Sequence, residues 1–228
     1  MRQLMLVCVV SMVAVTSAQT DWLGGTPGGE PTEFVVLAGP WRVAQDGTER
    51  ILKLDASAWK TGTPPERLTE KARTLFPSTA AEFEARVRSG LQFPYGVVRS
   101  VDRFERGELQ VDFRLVAGAS DQFASLLFGL TPDGNHLAFR YNTKDGDTAL
   151  WKVVNGQRER IHSGGVHVDV KLGEWRTLRM RLDGAQVTGW VDNVQALSHT
   201  LTMPAVGKVG LWSKADSVTD YRRFIVKR

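Results

Sequence analysis

A strand is predicted at residues 136–141. Two polar residues on this strand and one directly after it share one face. His136, Arg140 and Asn142 occupy alternate positions, and successive side chains of a strand point to opposite faces. Arginine and asparagine side chains carry several hydrogen-bonding groups, which suits them to sugar hydroxyls. Arg140 and Asn142 are therefore predicted to bind a carbohydrate ligand. A salt bridge from Arg140 to an acidic residue across the sheet is the alternative interpretation.

A second polar and aromatic group lies near the C terminus. If Leu211 points into the core, Trp212 and Lys214 lie on the opposite face or its rim, and Asp216 follows them. An indole ring can stack on the apolar face of a pyranose, so Trp212 and Lys214 are predicted to form a sugar platform. The alternative is that Trp212 covers the end of the sheet while Asp216 caps a turn.

Trp190 is a further candidate for stacking on a sugar. It is one of seven tryptophans, most of which are expected to fill the core. Its neighbours Val187 and Val191 alternate on one face of a predicted strand, so Trp190 is predicted to lie on the other face.

Oxygen ligands at Asn142, Asp145 and Asp147 have a spacing that could hold Ca²⁺. An Asx turn explains the same residues, and the turn is preferred because no bidentate glutamate follows. No cofactor is firmly predicted, and Ca²⁺ is the one candidate. The histidines show no zinc-ligand spacing, and the serines form no Gly-x-Ser-x-Gly elbow.

The elements that must position these residues are short β-strands separated by Gly- and Asp-rich turns. Asn155 and Gly156 between two strands predict a tight hairpin. Strands are predicted at residues 34–37, 41–44, 51–55, 95–100, 108–116, 124–130, 136–141, 149–154, 157–162, 167–171, 175–182, 186–191 and 195–200, with two more at the C terminus. Many short strands at regular spacing indicate an all-β sandwich or barrel.

A helical insert is predicted at about residues 66–89. Leu68, Ala72 and Leu75 have helical spacing, and residues 79–82 can form a capping box. A strand at residues 83–87 is the competing interpretation, because its apolar residues also alternate.

The N-terminal residues predict export. Residues 1–18 have the basic start, apolar core and small C-terminal residues of a signal peptide, and the apolar run is short for a membrane span. Cys8, the only cysteine, leaves with this segment, so no disulfide partner is expected. Residues 19–33 are predicted to be a flexible leader and residues 34–228 a single domain. The protein is expected to be secreted or periplasmic, with no membrane span in the mature chain.

The charge pattern argues against a nucleic-acid partner. The formal net charge is +4, but the basic residues are scattered rather than arranged in a stripe.

Several stretches, in chain order, resemble one family of bacterial proteins. They are residues 39–44, 104–114, 133–142, 150–158, 173–179 and the terminal phrase at residues 207–226. The family is the concanavalin A-like lectin/glucanase group related to the 3-keto-disaccharide hydrolase domain, often labelled family 16 glycoside hydrolase-like. The resemblance implies a jelly-roll β-sandwich of two antiparallel sheets, an exported location and a role with sugars.

The chain departs from the catalytic pattern of family 16 glucanases, whose Glu-x-Asp-x-x-Glu string is missing. Glu108 and Asp112 share a strand face, but residues four apart lie roughly 13 Å apart, and retaining hydrolysis needs about 5 Å. Carbohydrate recognition is therefore the first hypothesis. The second is a hydrolase or lyase acting on 3-keto-disaccharides or glucosides, with His136 and Asp216 as candidate bases. A cell-envelope protein-interaction module is the third.

Overall fold

The computed structural model describes residues 22–60, 63, 66–90, 93–214 and 216–228. The predicted signal peptide lies outside these residues. The helices are α1 (Leu68–Leu75) and α2 (Ala80–Gly90). The strands are β1 (Phe34–Ala38), β2 (Trp41–Asp46), β3 (Glu49–Asp55), β4 (Tyr95–Val98), β5 (Arg106–Ala117), β6 (Phe123–Leu130), β7 (His136–Asn142), β8 (Asp147–Val154), β9 (Gln157–Ser163), β10 (Trp175–Asp183), β11 (Gln186–Val191), β12 (Val194–Thr200), β13 (Lys208–Trp212) and β14 (Val218–Lys227).

The strands form two seven-stranded sheets. The front sheet has the order β1-β4-β13-β6-β7-β8-β9, and the back sheet has the order β12-β11-β10-β5-β14-β3-β2. Neighbouring strands pair antiparallel in both sheets. This arrangement confirms the predicted jelly-roll β-sandwich.

The main core lies between the two sheets. Phe139 and Tyr141 of β7 point into it from the front sheet, and the Tyr141 ring lies 6.2 Å from the ring of Phe113 in the back sheet. Each large apolar side chain that is fully buried here stabilises the fold by roughly 1.5–3 kcal/mol. Because successive side chains of β7 alternate, those of His136, Ala138, Arg140 and Asn142 must lie on the outer face of the front sheet.

The two helices form the predicted insert and cover part of that outer face. Phe83 and Val87 lie four residues apart on one face of α2, and both are buried against the sheet, as is Leu75 of α1. The competing interpretation, a strand at residues 83–87, is therefore wrong. Both helices are short, and no helix among the described residues is long and apolar enough to cross a membrane.

The hairpin between β8 and β9 has the predicted turn. Asn155 and Gly156 have φ angles of 50° and 75°, which two-residue turns of type I′ require and which asparagine and glycine tolerate best. The turn sets the register in which β9 pairs with β8, and so decides which β9 side chains reach the outer face.

The strand predicted at residues 167–171 is wrong. These residues belong to an irregular segment that connects β9 of the front sheet to β10 of the back sheet. Val168 and Val170 alternate because both turn toward the core, and the Tyr141 hydroxyl donates a hydrogen bond to the Val168 carbonyl at 2.6 Å. Alternation alone could not show that the segment lacks a neighbouring strand.

Residues 22–33, predicted as part of a flexible leader, lie against the sandwich. Leu23 is buried in the core, and its carbonyl accepts hydrogen bonds from the amides of Thr32 and Glu33. The Trp22 ring lies 5.7 Å from that of Phe224. Apolar side chains within a Gly- and Pro-rich stretch thus hold this segment in place.

Candidate functional site

A cavity of about 200 Å³ opens on the part of the outer face that the helices leave uncovered. We call it the front-face cavity. Its lining includes Arg140, Asn142, Trp151, Arg158, Trp212 and Lys214. Four of the five predicted sugar-binding residues, all except Trp190, therefore lie together. They meet because β7 and β13 are both neighbours of β6 in the front sheet.

Another cavity, of about 420 Å³, lies at one end of the sandwich and is lined mainly by apolar residues such as Leu137 and Met203. The front-face cavity is the better candidate for a polar ligand, because charged, amide and indole side chains converge on it.

Arg140 forms salt bridges rather than projecting into solvent. Its guanidinium lies 2.5 Å from the carboxylate of Asp145 and 3.4 Å from that of Asp147, and only 4% of the residue is exposed. The alternative interpretation, pairing with an acidic neighbour, is therefore correct for Arg140. The residue holds the wall of the cavity through charge-assisted hydrogen bonds.

Asn142 closes an Asx turn. Its side-chain oxygen accepts a hydrogen bond from the Lys144 amide at 3.1 Å, and its side-chain nitrogen donates to Asp121 at 3.3 Å and to Asp145 at 3.4 Å. Because Asp145 and Asp147 face the Arg140 guanidinium, a positive charge already neutralises the carboxylates that were considered for Ca²⁺. Among the described residues, no three His, Cys, Asp or Glu side chains are grouped to hold a metal ion.

Sequence reasoning missed the aromatic and basic centre of the cavity. The guanidinium carbons of Arg158, Arg160 and Arg140 lie 4.5, 5.0 and 5.9 Å from the Trp151 ring. The pairing of neighbouring strands could have revealed this group. Trp151 pairs with Ala138, two residues from Arg140, and with Arg160 on β9. The two-residue turn at Asn155 and Gly156 places Arg160 opposite Trp151. The sequence would have predicted this pairing if the outward face of β8 had been assigned.

Lys214 and Trp212 form the opposite wall. The Lys214 ammonium lies 2.6 Å from the Asp121 carboxylate. Trp212 is only 1% exposed, and its ring makes edge contacts with Phe93 and Phe123, each at 5.4 Å. Trp212 therefore contributes a ring edge to the cavity but offers no open face for stacking on a sugar.

Comparison with known proteins defines the fold. The carbohydrate-binding module CBM66 from Bacillus subtilis superposes with a TM-score of 0.60 at 12% identity, covering 86% of this chain and 96% of that one. A functionally unknown protein from Saccharomyces cerevisiae gives a TM-score of 0.51 at 14% identity, with the same two coverages of 86% and 96%. The chain has a lectin-like jelly-roll fold. No protein-family model and no curated protein sequence matches it.

In this jelly roll Trp190 lies far from the other predicted binding residues. It belongs to β11 of the back sheet, and the Arg179 guanidinium lies over its ring at 4.0 Å. Its predicted outward orientation is correct, but the outward face of the back sheet is the opposite side of the sandwich. Strand alternation could not show which sheet β11 joins.

His136 is buried beneath the insert. Its ring stacks on Tyr95 at 5.7 Å, Nδ1 lies 3.1 Å from the Gly134 carbonyl, and Nε2 has no partner among the described residues. Burial lowers the pKa of His136 to about 4. This placement argues against His136 as a base, because the ring lines a separate cavity and is a weak proton acceptor at neutral pH.

Asp216 organises a loop. Its carboxylate accepts hydrogen bonds from the backbone amides of Ala119, Ser120 and Asp121 at 2.8, 3.0 and 3.1 Å. These bonds lower the pKa of Asp216 to about 2. A carboxylate held in this way is a poor base, so the turn interpretation of Asp216 fits the structure and the catalytic one does not.

We expect Asp216→Ala to lower the free energy of unfolding by about 1–3 kcal/mol, because three backbone donors lose a charged acceptor. The native pKa of Asp216 lies below its unfolded value, so its contribution is present above about pH 4 and is lost as pH falls toward 2. Urea unfolding at pH 7 and pH 3 measures both effects. Unchanged stability at pH 7 would show that the loop does not need this carboxylate.

Proposed function

We propose that the protein is an exported carbohydrate-binding protein and that the front-face cavity holds one sugar residue of a glycan. The observation that carries this proposal is the convergence of the Trp151 indole, three guanidinium groups and the Asn142 amide on one cavity. Sugar sites in proteins combine an apolar aromatic wall with a few oriented hydrogen-bonding groups.

The fold is consistent with this proposal. The Bacillus subtilis protein that superposes over most of the chain is, by its name, a carbohydrate-binding module. That likeness establishes the architecture, and it supports the ligand class by analogy alone because one fold can host many functions. The argument for sugar binding therefore depends on the side chains of the cavity.

A hydrolase or lyase acting on 3-keto-disaccharides or glucosides is the second candidate. It is favoured by two carboxylates, Asp121 and Asp145, that both contact the Asn142 side-chain amide at the cavity. Each carboxylate also forms an ion pair, with Lys214 and Arg140 respectively. Both carboxylates are thus occupied by side chains of the protein, whereas a catalytic acid or base must be free to reach a proton of the substrate. Binding is therefore the preferred function.

We expect Trp151→Ala to weaken binding to the best glycan about tenfold to hundredfold, because the indole forms the apolar wall and supports the arginines. Trp190→Ala is the matched control. It makes the same change at another partly buried tryptophan with a stacked arginine, but on the back sheet. A glycan array identifies the ligand, and isothermal titration measures the affinities.

Equal affinity of the Trp151→Ala variant and the wild-type protein would place sugar binding outside this cavity. The same glycans and 3-keto sugars, incubated with the protein and analysed for released product, test the second candidate. Product release would establish an enzyme.

A further inference from the structure

Arg158 differs from the other basic residues of the front-face cavity in its contacts. Arg140 and Arg160 both lie near Asp145, at 2.5 and 3.8 Å, and Lys214 lies 2.6 Å from Asp121. Within the part of the chain that the structure describes, the Arg158 guanidinium makes no ion pair and no side-chain hydrogen bond; its contacts are aromatic rings. Its hydrogen-bond donors are therefore available to a ligand.

The aromatic rings hold this guanidinium in place without satisfying its donors. Its central carbon lies 4.5 Å from the Trp151 ring and 4.9 Å from the Phe93 ring. Cation–π contacts stabilise the charge through the face of the guanidinium, whereas its N–H groups lie in its plane. Burial lowers the pKa of Arg158, and attraction to the nearby Asp121 carboxylate offsets this only in part. An anion in the cavity would offset this unfavourable desolvation.

The cavity lining as a whole carries more positive than negative charge. Arg140, Arg158, Arg160 and Lys214 line the cavity together with only two carboxylates, Asp121 and Asp145. Arg158 and Arg160 are two residues apart on β9 and pair with Val153 and Trp151 of the same hairpin. Their side chains therefore leave the strand on one face, about 7 Å apart, close enough for both to contact one anionic group.

We propose that the sugar held in the front-face cavity is anionic, and that Arg158 binds its carboxylate or sulfate group while Arg160 assists. This inference rests on the proposed function, since it concerns the same cavity. A planar guanidinium binds both kinds of oxyanion through paired hydrogen bonds, so the shared chemistry is a negatively charged oxygen group on a sugar ring. The Trp151 indole contacts the apolar part of that ring.

The test compares pairs of polymers in which one member carries an anionic group and the other does not. Polygalacturonate and its methyl ester differ in the carboxylate, and dextran sulfate and dextran differ in the sulfate. We expect the wild-type protein to bind at least one anionic member about tenfold or more tightly than its neutral partner. The pair that shows this difference identifies the anionic group. Arg158→Ala is expected to abolish the difference, and Arg158→Lys to restore part of it, because lysine keeps the charge but lacks the planar fork.

Arg181→Ala is the control for general electrostatic attraction. Arg181 is exposed on β10 of the back sheet, and its replacement changes the net charge by the same amount. We expect this variant to keep the wild-type preference, and thermal melts to show that all variants are folded. An equal loss in the Arg158 and Arg181 variants would overturn the proposal, because the preference would then reflect the net charge of the protein.

Failure of this inference and failure of the proposed function give different results. Equal binding of neutral and anionic polymers, with no effect of Arg158→Ala, would leave a carbohydrate-binding protein whose cavity does not recognise charge. If no glycan of either kind is bound, both proposals fail.

Discussion

Trp212→Ala is expected to lower the free energy of unfolding by about 3–5 kcal/mol, the usual range for removing a large buried aromatic side chain. Trp212 is 1% exposed, and its ring contacts Phe93 and Phe123. It belongs to the apolar cluster that joins the helical insert to the front sheet. Its removal leaves a void that surrounding side chains can fill only in part. Urea unfolding followed by fluorescence and circular dichroism measures the change.

Two further variants show whether the loss of stability in Trp212→Ala comes from the burial of this side chain or from the removal of any indole. Trp190→Ala removes the same side chain from the partly exposed outer face of the back sheet, and we expect it to lower stability by roughly 1–2 kcal/mol. Trp212→Phe keeps an aromatic ring within the cluster, and it should fold even if the alanine variant does not. A Trp212→Ala variant as stable as Trp190→Ala would contradict the view that Trp212 anchors the insert.

This prediction replaces the role that the sequence suggested for Trp212. Alternation along β13 correctly placed the ring on the face opposite the sandwich core, where a sugar platform was expected. Alternation does not show that residues 68–90 fold back as two helices and bury that same face. Alternation along a strand shows only which residues share a face of the sheet. It does not show that a distant segment packs on that face as a third layer.

The fold itself could be predicted because its signals are local. Side-chain alternation, glycine-rich turns and the Asn155–Gly156 hairpin are properties of neighbouring residues, and they identified all fourteen strands of the described residues, with one extra strand at residues 167–171. The grouping of Arg140, Asn142 and Lys214 was also predictable in part, since all three were expected to face outward. Their meeting at one cavity depends on the order of strands in the sheet, which follows from long-range pairing.

The residues that were missed or misplaced depend on such long-range pairing. Asp216 reads as a candidate base until the loop amides of residues 119–121 are brought to it. Arg158 reads as an ordinary hairpin residue until Trp151 and Phe93 are found around it. In both cases the role depends on contacts that no local spacing encodes, so only the structure separates an anchoring carboxylate from a catalytic one.

The second large effect is expected from His136 as the pH is lowered. Its native pKa is about 4, below the ordinary value of 6.5, because the ring is buried between the front sheet and the insert. Between these values the unfolded state binds more protons than the native state. Stability is therefore complete above about pH 6.5 and falls as pH drops toward 4. This difference between the native and the ordinary pKa corresponds to a loss of about 3 kcal/mol in the free energy of unfolding.

His136→Phe tests this directly, because a phenyl ring can keep the stacking on Tyr95 but cannot titrate. Urea unfolding of both proteins at several pH values from 7 to 4.5 gives the slope of stability against pH. We expect a smaller slope in the variant, with the difference concentrated below pH 6.5. Arg86 and Asp133 line the same small cavity and are present in both proteins, so their contributions cancel. Parallel slopes would show that His136 reaches water in the folded protein and would reopen its candidacy as a base.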